Sequence, residues 1–305
     1  MKVNAVFSSS GGLELSGFED LRRLSKYAVE GFKLSQVPGF KEGMHPLDYV
    51  GGGDVDIAFF AIPPNYLIGE PNTKLFLGML REGVSVVTAD KTVLARGFWR
   101  VIKYAEENEA SVGYRATVAA GTPVVDVAWA LRSRGVVRLR AIFNATTNYI
   151  LGLIEEGLTY DEALKRAKAE KVVEPDPTVD THGWDPGAKL AIVSSIIAGR
   201  DVTVFDVRKT PLEAVDFSDI KKVVKEGWRV KYVAEANFKN GEFVVKPELI
   251  PRGDPLYDVV GHRNVAVFEV EDDAIVVKGP AGPARRTART LLADAMSVLN
   301  RSGRP

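Results

Sequence analysis

Short apolar runs alternate with stretches of helical spacing through the first part of the chain. Residues 2–7 (KVNAVF) alternate into a strand that closes in Ser8, Ser9, Ser10, Gly11 and Gly12, a turn signal. Helical spacing follows from Phe18 to Val29. Residues 54–62 (DVDIAFFAI) read as a buried strand closed by Pro63 and Pro64, and 75–80 continue helically into Glu82 and Gly83. A strand over 84–88, a helix over 98–108 and a strand over 110–114 complete the series. Strands alternating with helices predict an α/β fold with a parallel sheet and crossover helices. Ligands of such sheets sit at the carboxyl ends of strands, which singles out Thr88 to Lys91.

From about Pro123 the pattern changes. A strand is predicted over 136–143 and helices over 146–156 and 160–170, the second with Thr159 and Glu162 spaced as a capping box. Residues 186–198 read as a helix with a proline in its first turn, where a missing N–H costs little. Strands over 230–236, 242–246, 264–270 and 274–277 form an expected antiparallel set, and a last helix, 286–299, follows the loop GPAGP at 279–283. The expected organisation is an α/β first domain over 1–122, a mixed second domain over 123–278 and a final segment, 279–305, that returns to the first.

Composition narrows the function classes. The 305 residues are 46% apolar and 26% charged, which is globular composition. Forty basic residues balance forty acidic ones, so no net field recruits nucleic acid or an anionic membrane. No apolar run approaches the roughly 20 residues of a membrane span, and the start of the chain does not read as a signal peptide. There is no cysteine, which removes disulfides, thiolate nucleophiles and Cys-ligated zinc and points to the cytoplasm. A single glutamine, Gln36, and dense charge are a composition suited to high temperature.

The stretch richest in chemistry is EPDPTVDTHGWDPGAK, residues 174–189, with Glu174, Asp176, Asp180, His182, Asp185 and Lys189 in one loop running into an apolar helix. One reading is a solvated loop in which Asp185 caps the helix that follows. The other begins with Lys189, which stands in the first turn against the helix dipole and calls for a carboxylate, Asp185 at i−4 or Asp180. A buried amine beside acids is also how a proton-transfer lysine is made. Lys91 reads either as a surface lysine or as a second cation of the same site.

These residues resemble homoserine dehydrogenases, which interconvert aspartate semialdehyde and homoserine with a nicotinamide cofactor. Glu174, Asp176, Pro177, Asp180, Gly183, Asp185 and Lys189 match the family's substrate-loop pattern without a gap. TADKTVLA is similar to its strand-end motif, with Lys91 in place and Asp90 where Asn is usual. FNATTNYIL, NYLIGEP and ATVAAGTP are similar to further family segments, so the resemblance spans nearly the whole chain.

The resemblance implies a Rossmann-like parallel sheet with a second α+β substrate and dimerisation domain, a homodimer, an amino acid substrate and NADP or NAD as cofactor. It implies Lys189 as general acid and base, Lys91 as a second cation at the developing alkoxide, and Asp185 as a hydrogen-bonding partner in the substrate site. Glu174 and Asp180, with Thr146, are expected to hold the substrate or orient the lysines. Thr88, Lys91, Ser9 and Ile62 are expected to face the cofactor. Backbone carbonyls of Arg115, Val118, Ala120 and Thr122 are expected near a monovalent cation such as sodium, although Arg115 stands where Glu is common. His182 matches no family requirement and reads as a loop side chain.

Three departures bear on the cofactor. No GxGxxG turn is present, and KVNAVFSSSGG matches the family's second strand, which implies that the sheet is incomplete and the sequence starts about 30 residues into that fold. Ile62, Pro63 and Pro64 stand where small hydroxyl residues would face the nicotinamide ribose, and GPAGP replaces the usual GPGAG, so impaired binding of the dinucleotide is expected. No acidic residue ends the strand before Ser8, so nothing favours NAD over NADP. An alternative is a non-catalytic homologue that binds an amino acid or assembles with an intact paralogue.

Overall fold

The computed structural model describes residues 1–52, 55–170, 172–173 and 176–301. The chain opens with strands β1 (Ala5–Ser8) and β2 (Gly11–Glu14), helix α1 (Phe18–Val29) and strand β3 (Lys41–Glu42). The expectation that the opening strand belongs to the parallel sheet is not met: β1 pairs antiparallel with β2, and β2 with β3, in a separate sheet. The glycines decide this. Gly11 has φ 155°, and a Cβ there would stand 2.2 Å from the Lys41 carbonyl, so the chain folds back at Ser9 and Ser10 and lets β3 approach. Leu13, Leu15 and Val37 form a small core beneath α1.

Helix α2 (Pro46–Val50) leads to the parallel sheet, in which β4 (Ile57–Phe60), β5 (Ser85–Thr88) and β6 (Val112–Gly113) lie side by side in chain order. Helices α3 (Asn72–Arg81) and α4 (Thr92–Glu107) are the crossovers. All four residues of β5 are buried, as expected of a strand covered on both faces. Helix α4 begins earlier than its apolar spacing suggests, because Asp90 accepts hydrogen bonds from the Thr92 amide and hydroxyl and so caps it from the end of the strand.

Beyond α5 (Val124–Leu131), strand β7 (Arg138–Ile142) enters a second sheet, followed by α6 (Ala145–Glu155) and α7 (Tyr160–Ala169). The Thr159–Glu162 capping box of α7 is present. Next come α8 (Thr178–Thr181), α9 (Trp184–Ala198), β8 (Arg208–Lys209), α10 (Ile220–Lys225), then β9 (Trp228–Asn237), β10 (Glu242–Pro251), β11 (Arg263–Val270) and β12 (Asp273–Pro280). The sheet order is β12-β11-β7-β9-β10-β8, antiparallel throughout except for β8 beside β10. The antiparallel set read from the sequence is thus real, with β7 inserted at its centre.

Helix α9 is buried from Pro186 to Ile197 except at Lys189, and it packs between α4, α5 and β9. A helix apolar on all sides is a core helix, and this one joins the parallel-sheet half to the antiparallel half. The last helix, α11 (Ala284–Arg301), lies against β5 and β6, where Leu291, Ala295 and Val298 pack on Val87 and Ala116.

Candidate active site

The charged cluster forms where the carboxyl end of β5 meets the start of α9. Lys91 follows β5, while Asp185 and Lys189 lie one turn apart on α9 and share a face. Asp185 does not cap the helix, as its sequence position suggested. Gly183 is the N-cap, with φ 80°, and a Cβ there would stand 2.7 Å from the Tyr232 hydroxyl oxygen. The helix therefore starts at Trp184, Lys189 lies in its second turn, and the Asp185 side chain is free to turn inward.

Lys189 Nζ donates to Asp185 Oδ2 at 2.7 Å and to the Phe143 carbonyl, at the end of β7, at 2.6 Å. Lys91 Nζ lies 3.5 Å from the other oxygen, Asp185 Oδ1. The three side chains are each at most 16% exposed. One carboxylate thus bridges two ammoniums. Burial opposes the charge on Asp185, but Lys189 and Lys91 outweigh it and hold the carboxyl at about 2. Asp180 behaves oppositely: burial and the Asp185 charge raise it, against hydrogen bonds from Asn144 and Thr146. Two neighbouring carboxyls pushed apart in acidity are a mark of functional sites.

Asn144 is a site residue that the sequence reading did not single out. Its Nδ2 donates to Asp180 Oδ1 at 2.6 Å and to Asp185 Oδ2 at 3.0 Å, while its Oδ1 accepts from the Thr147 amide and caps α6. Its signal was the FNATTNYIL segment, where a polar residue precedes a helix, but a cap gives no hint that the other end of the amide reaches two distant carboxylates. Thr146 meets Asp180, while the neighbouring Thr147 is buried against Asn144. Glu174 lies outside the described residues. His182 is half-exposed and pairs with Glu213 on the surface.

The cofactor-facing residues divide. Phe60 and Thr88 are register partners at the carboxyl ends of β4 and β5, so the loops bearing Ile62 and Lys91 leave from the same end of the sheet. Asn72 ties these loops together by donating to the Pro63 carbonyl and to Asp90, each at 2.9 Å. The carboxyl ends of parallel strands are where such sheets take their ligands, and Lys91 stands at this end. The Thr88 hydroxyl is already committed to the Asp90 carbonyl at 3.0 Å. Ser9 sits at the β1–β2 turn of the separate sheet, not at a parallel-strand end.

At the turn expected to face a cation, the side chains and the Ala120 carbonyl are tied to neighbouring elements. The Arg115 guanidinium is held by Asp126 and Asp294, and the Ala120 carbonyl accepts the Thr290 hydroxyl at 2.8 Å. Thr122 hydroxyl turns to the Pro280 carbonyl, and Val118 is fully buried. Among the described residues no cluster of His, Cys, Asp or Glu could hold a metal. Surface recesses near Arg132 and Phe243, and near Trp228 and Arg252, do not include the charged cluster.

The family model for homoserine dehydrogenase matches residues 123–296. A homoserine dehydrogenase of Sulfurisphaera tokodaii is 34% identical over 241 residues, 76% of each chain. An NAD(+)-dependent homoserine dehydrogenase of Pseudomonas canavaninivorans is 28% identical and covers 94% of this chain and 86% of its own. A hyperthermophilic archaeal homoserine dehydrogenase, solved in complex with NADPH, superposes with a TM-score of 0.83 at 27% identity, covering 98% of this chain and 88% of that one. The substrate-loop pattern, the Lys91–Asp185–Lys189 cluster it builds and these matches agree: the chain belongs to the homoserine dehydrogenase family.

Proposed function

We propose that this protein interconverts L-homoserine and L-aspartate 4-semialdehyde with NADP or NAD, a step of threonine and methionine biosynthesis. The observation that carries the proposal is the Asp185 carboxylate shared by Lys91 and Lys189 at the end of a parallel strand. The bound nicotinamide supplies the hydride acceptor in one direction and the donor in the other. During reduction the Lys189 ammonium gives its proton to the oxygen as the hydride arrives at the carbonyl carbon, and during oxidation its neutral amine form takes the proton of the homoserine hydroxyl. Lys91 stabilises the oxygen as negative charge develops on it. Asp185 orients both ammoniums and contributes to the substrate site. Asp180 and Thr146, with Glu174, receive the substrate's ammonium, a role supported by the acidic character of this end of the site.

Ile62, Thr88 and Lys91 line the nicotinamide side, and Ser9 belongs to the adenosine side in this reading. Both cofactors remain in the proposal, because the NADPH-bound and the NAD(+)-dependent relatives are both similar to this chain. We place the protein in the cytoplasm on its lack of cysteine, and as a homodimer built on the six-stranded sheet, whose Leu249 and Val276 stand exposed. Among the described residues no helix is long and apolar enough to cross a membrane.

The test is homoserine-dependent reduction of NADP and of NAD by the 305-residue chain, followed at 340 nm, with Lys91→Ala alongside. We expect turnover that falls by about tenfold to a thousandfold in the variant, the usual worth of an electrostatic contact to a developing oxyanion. Absence of turnover with both cofactors at saturating concentration would refute the assignment.

A further inference from the structure

Tyr66 follows β4 in the loop that faces the cluster. Its side chain is buried, with 4% of the residue exposed, yet among the described residues its hydroxyl has no hydrogen-bond partner. A buried hydroxyl left unpaired works against folding and calls for an explanation. The residue is not loosely placed. Arg96 Nη1 donates to its carbonyl at 2.7 Å and to that of Leu67 at 3.1 Å. The preceding Asn65 amide donates to the Thr92 hydroxyl at 2.9 Å, and the Asn65 side chain closes the loop onto the Glu70 carbonyl at 2.8 Å. The phenol ring stacks on Trp184, the residue before Asp185, with centroids 6.4 Å apart and planes within 9°. Backbone and ring are therefore fixed while the polar tip is unused.

The surroundings of that tip are the site itself. Burial first, then the carboxylates of Asp185, Asp90 and Asp180, push the phenol well above the ordinary tyrosine value, so the oxygen keeps its proton. It is a donor awaiting an acceptor. Asp185 is the strongest of its charged neighbours, and Asp185 is also the residue that holds Lys91 and Lys189. The hydroxyl thus belongs to the end of the site where the cations gather. Of the polar groups of homoserine, the ammonium cannot accept, and on the functional reading above the oxygen facing Lys91 and Lys189 is the reacting one.

We propose that Tyr66 is a further catalytic residue, donating a hydrogen bond to the substrate oxygen that alternates between hydroxyl and carbonyl. The proposal rests on the homoserine dehydrogenase reading above. The oxygen accepts this bond most strongly as it gains negative charge, so the contact favours the transition state over the bound alcohol.

Tyr66→Phe keeps the ring and its Trp184 stack and removes only the hydroxyl. We expect kcat for homoserine oxidation to fall by about tenfold to a hundredfold, with KM for homoserine within about threefold. The melting temperature of the unliganded variant should be unchanged or higher, since no internal hydrogen bond is lost. A kcat within about twofold of the parent overturns the proposal, as does a fall in activity matched by a lowered unliganded melting temperature. Lys189→Ala, assayed beside it, separates the two readings. Loss in Lys189→Ala with a silent Tyr66→Phe removes the Tyr66 role alone, whereas a silent Lys189→Ala removes the functional reading beneath it.

Discussion

Asp185 and Asp180 show how environment assigns different states to the same side chain. Asp185, bridged by two ammoniums, is held at about 2, below the roughly 3.9 of a free aspartate. Its contribution to stability is complete above about pH 4 and is lost as pH falls through about 2. Asp180 is raised, so its ionised form is a cost that the fold carries at neutral pH and sheds on acidification. Asp180→Asn should therefore melt higher than the parent at pH 7 by scanning calorimetry, with the difference shrinking as the pH is lowered and Asp180 takes up its proton. A lower melting temperature at pH 7 would show that the Asn144 bond outweighs the repulsion. Asp185→Asn should do the reverse and destabilise by about 3 to 5 kcal/mol, since it leaves two buried ammoniums facing each other. Lys189, Asp185 and Asp180 were legible in the sequence because their spacing is fixed along one segment. Tyr66 and Asn144 were not, because their meaning depends on groups that only the fold brings near. His182→Ala should change turnover by less than about twofold, since its partner Glu213 lies on the surface.

At the scale of elements, the site depends on where α9 starts. Gly183 adopts a left-handed conformation in which a side chain would strike the Tyr232 hydroxyl, itself bonded to the Thr210 carbonyl at 2.8 Å. Gly183→Ala should cost about 2 kcal/mol or more in urea unfolding and lower turnover as well, because it displaces the first turn of α9 that carries Asp185. Unfolding indistinguishable from the parent would mean that the turn relaxes freely. The proline in this helix suggested a start at Pro186, but a left-handed glycine three residues earlier sets the boundary. The apolar pattern placed β5, α1, α7 and the antiparallel strands well, since each is long or sharply bounded. It missed the β1–β2 hairpin: alternation identifies a strand but not its neighbour, and the glycines that close the hairpin read only as a turn. It also passed over α5, whose VVDVAWAL run carries little polar contrast.

The whole molecule brings two sheets together through one buried helix. The parallel sheet supplies Lys91 from the end of β5, and the antiparallel half supplies the Phe143 carbonyl that anchors Lys189. Neither half holds the cluster alone, and the acidic loop and strand-end lysine, remote in sequence, meet on a single carboxylate. The measurement that tests this account most directly is steady-state homoserine oxidation by Lys189→Ala at saturating cofactor. The account predicts a loss of about a hundredfold or more in kcat, the usual worth of a positioned acid or base, with KM for homoserine altered far less. A kcat within about threefold of the parent would contradict it, and the proton would have to pass through another group.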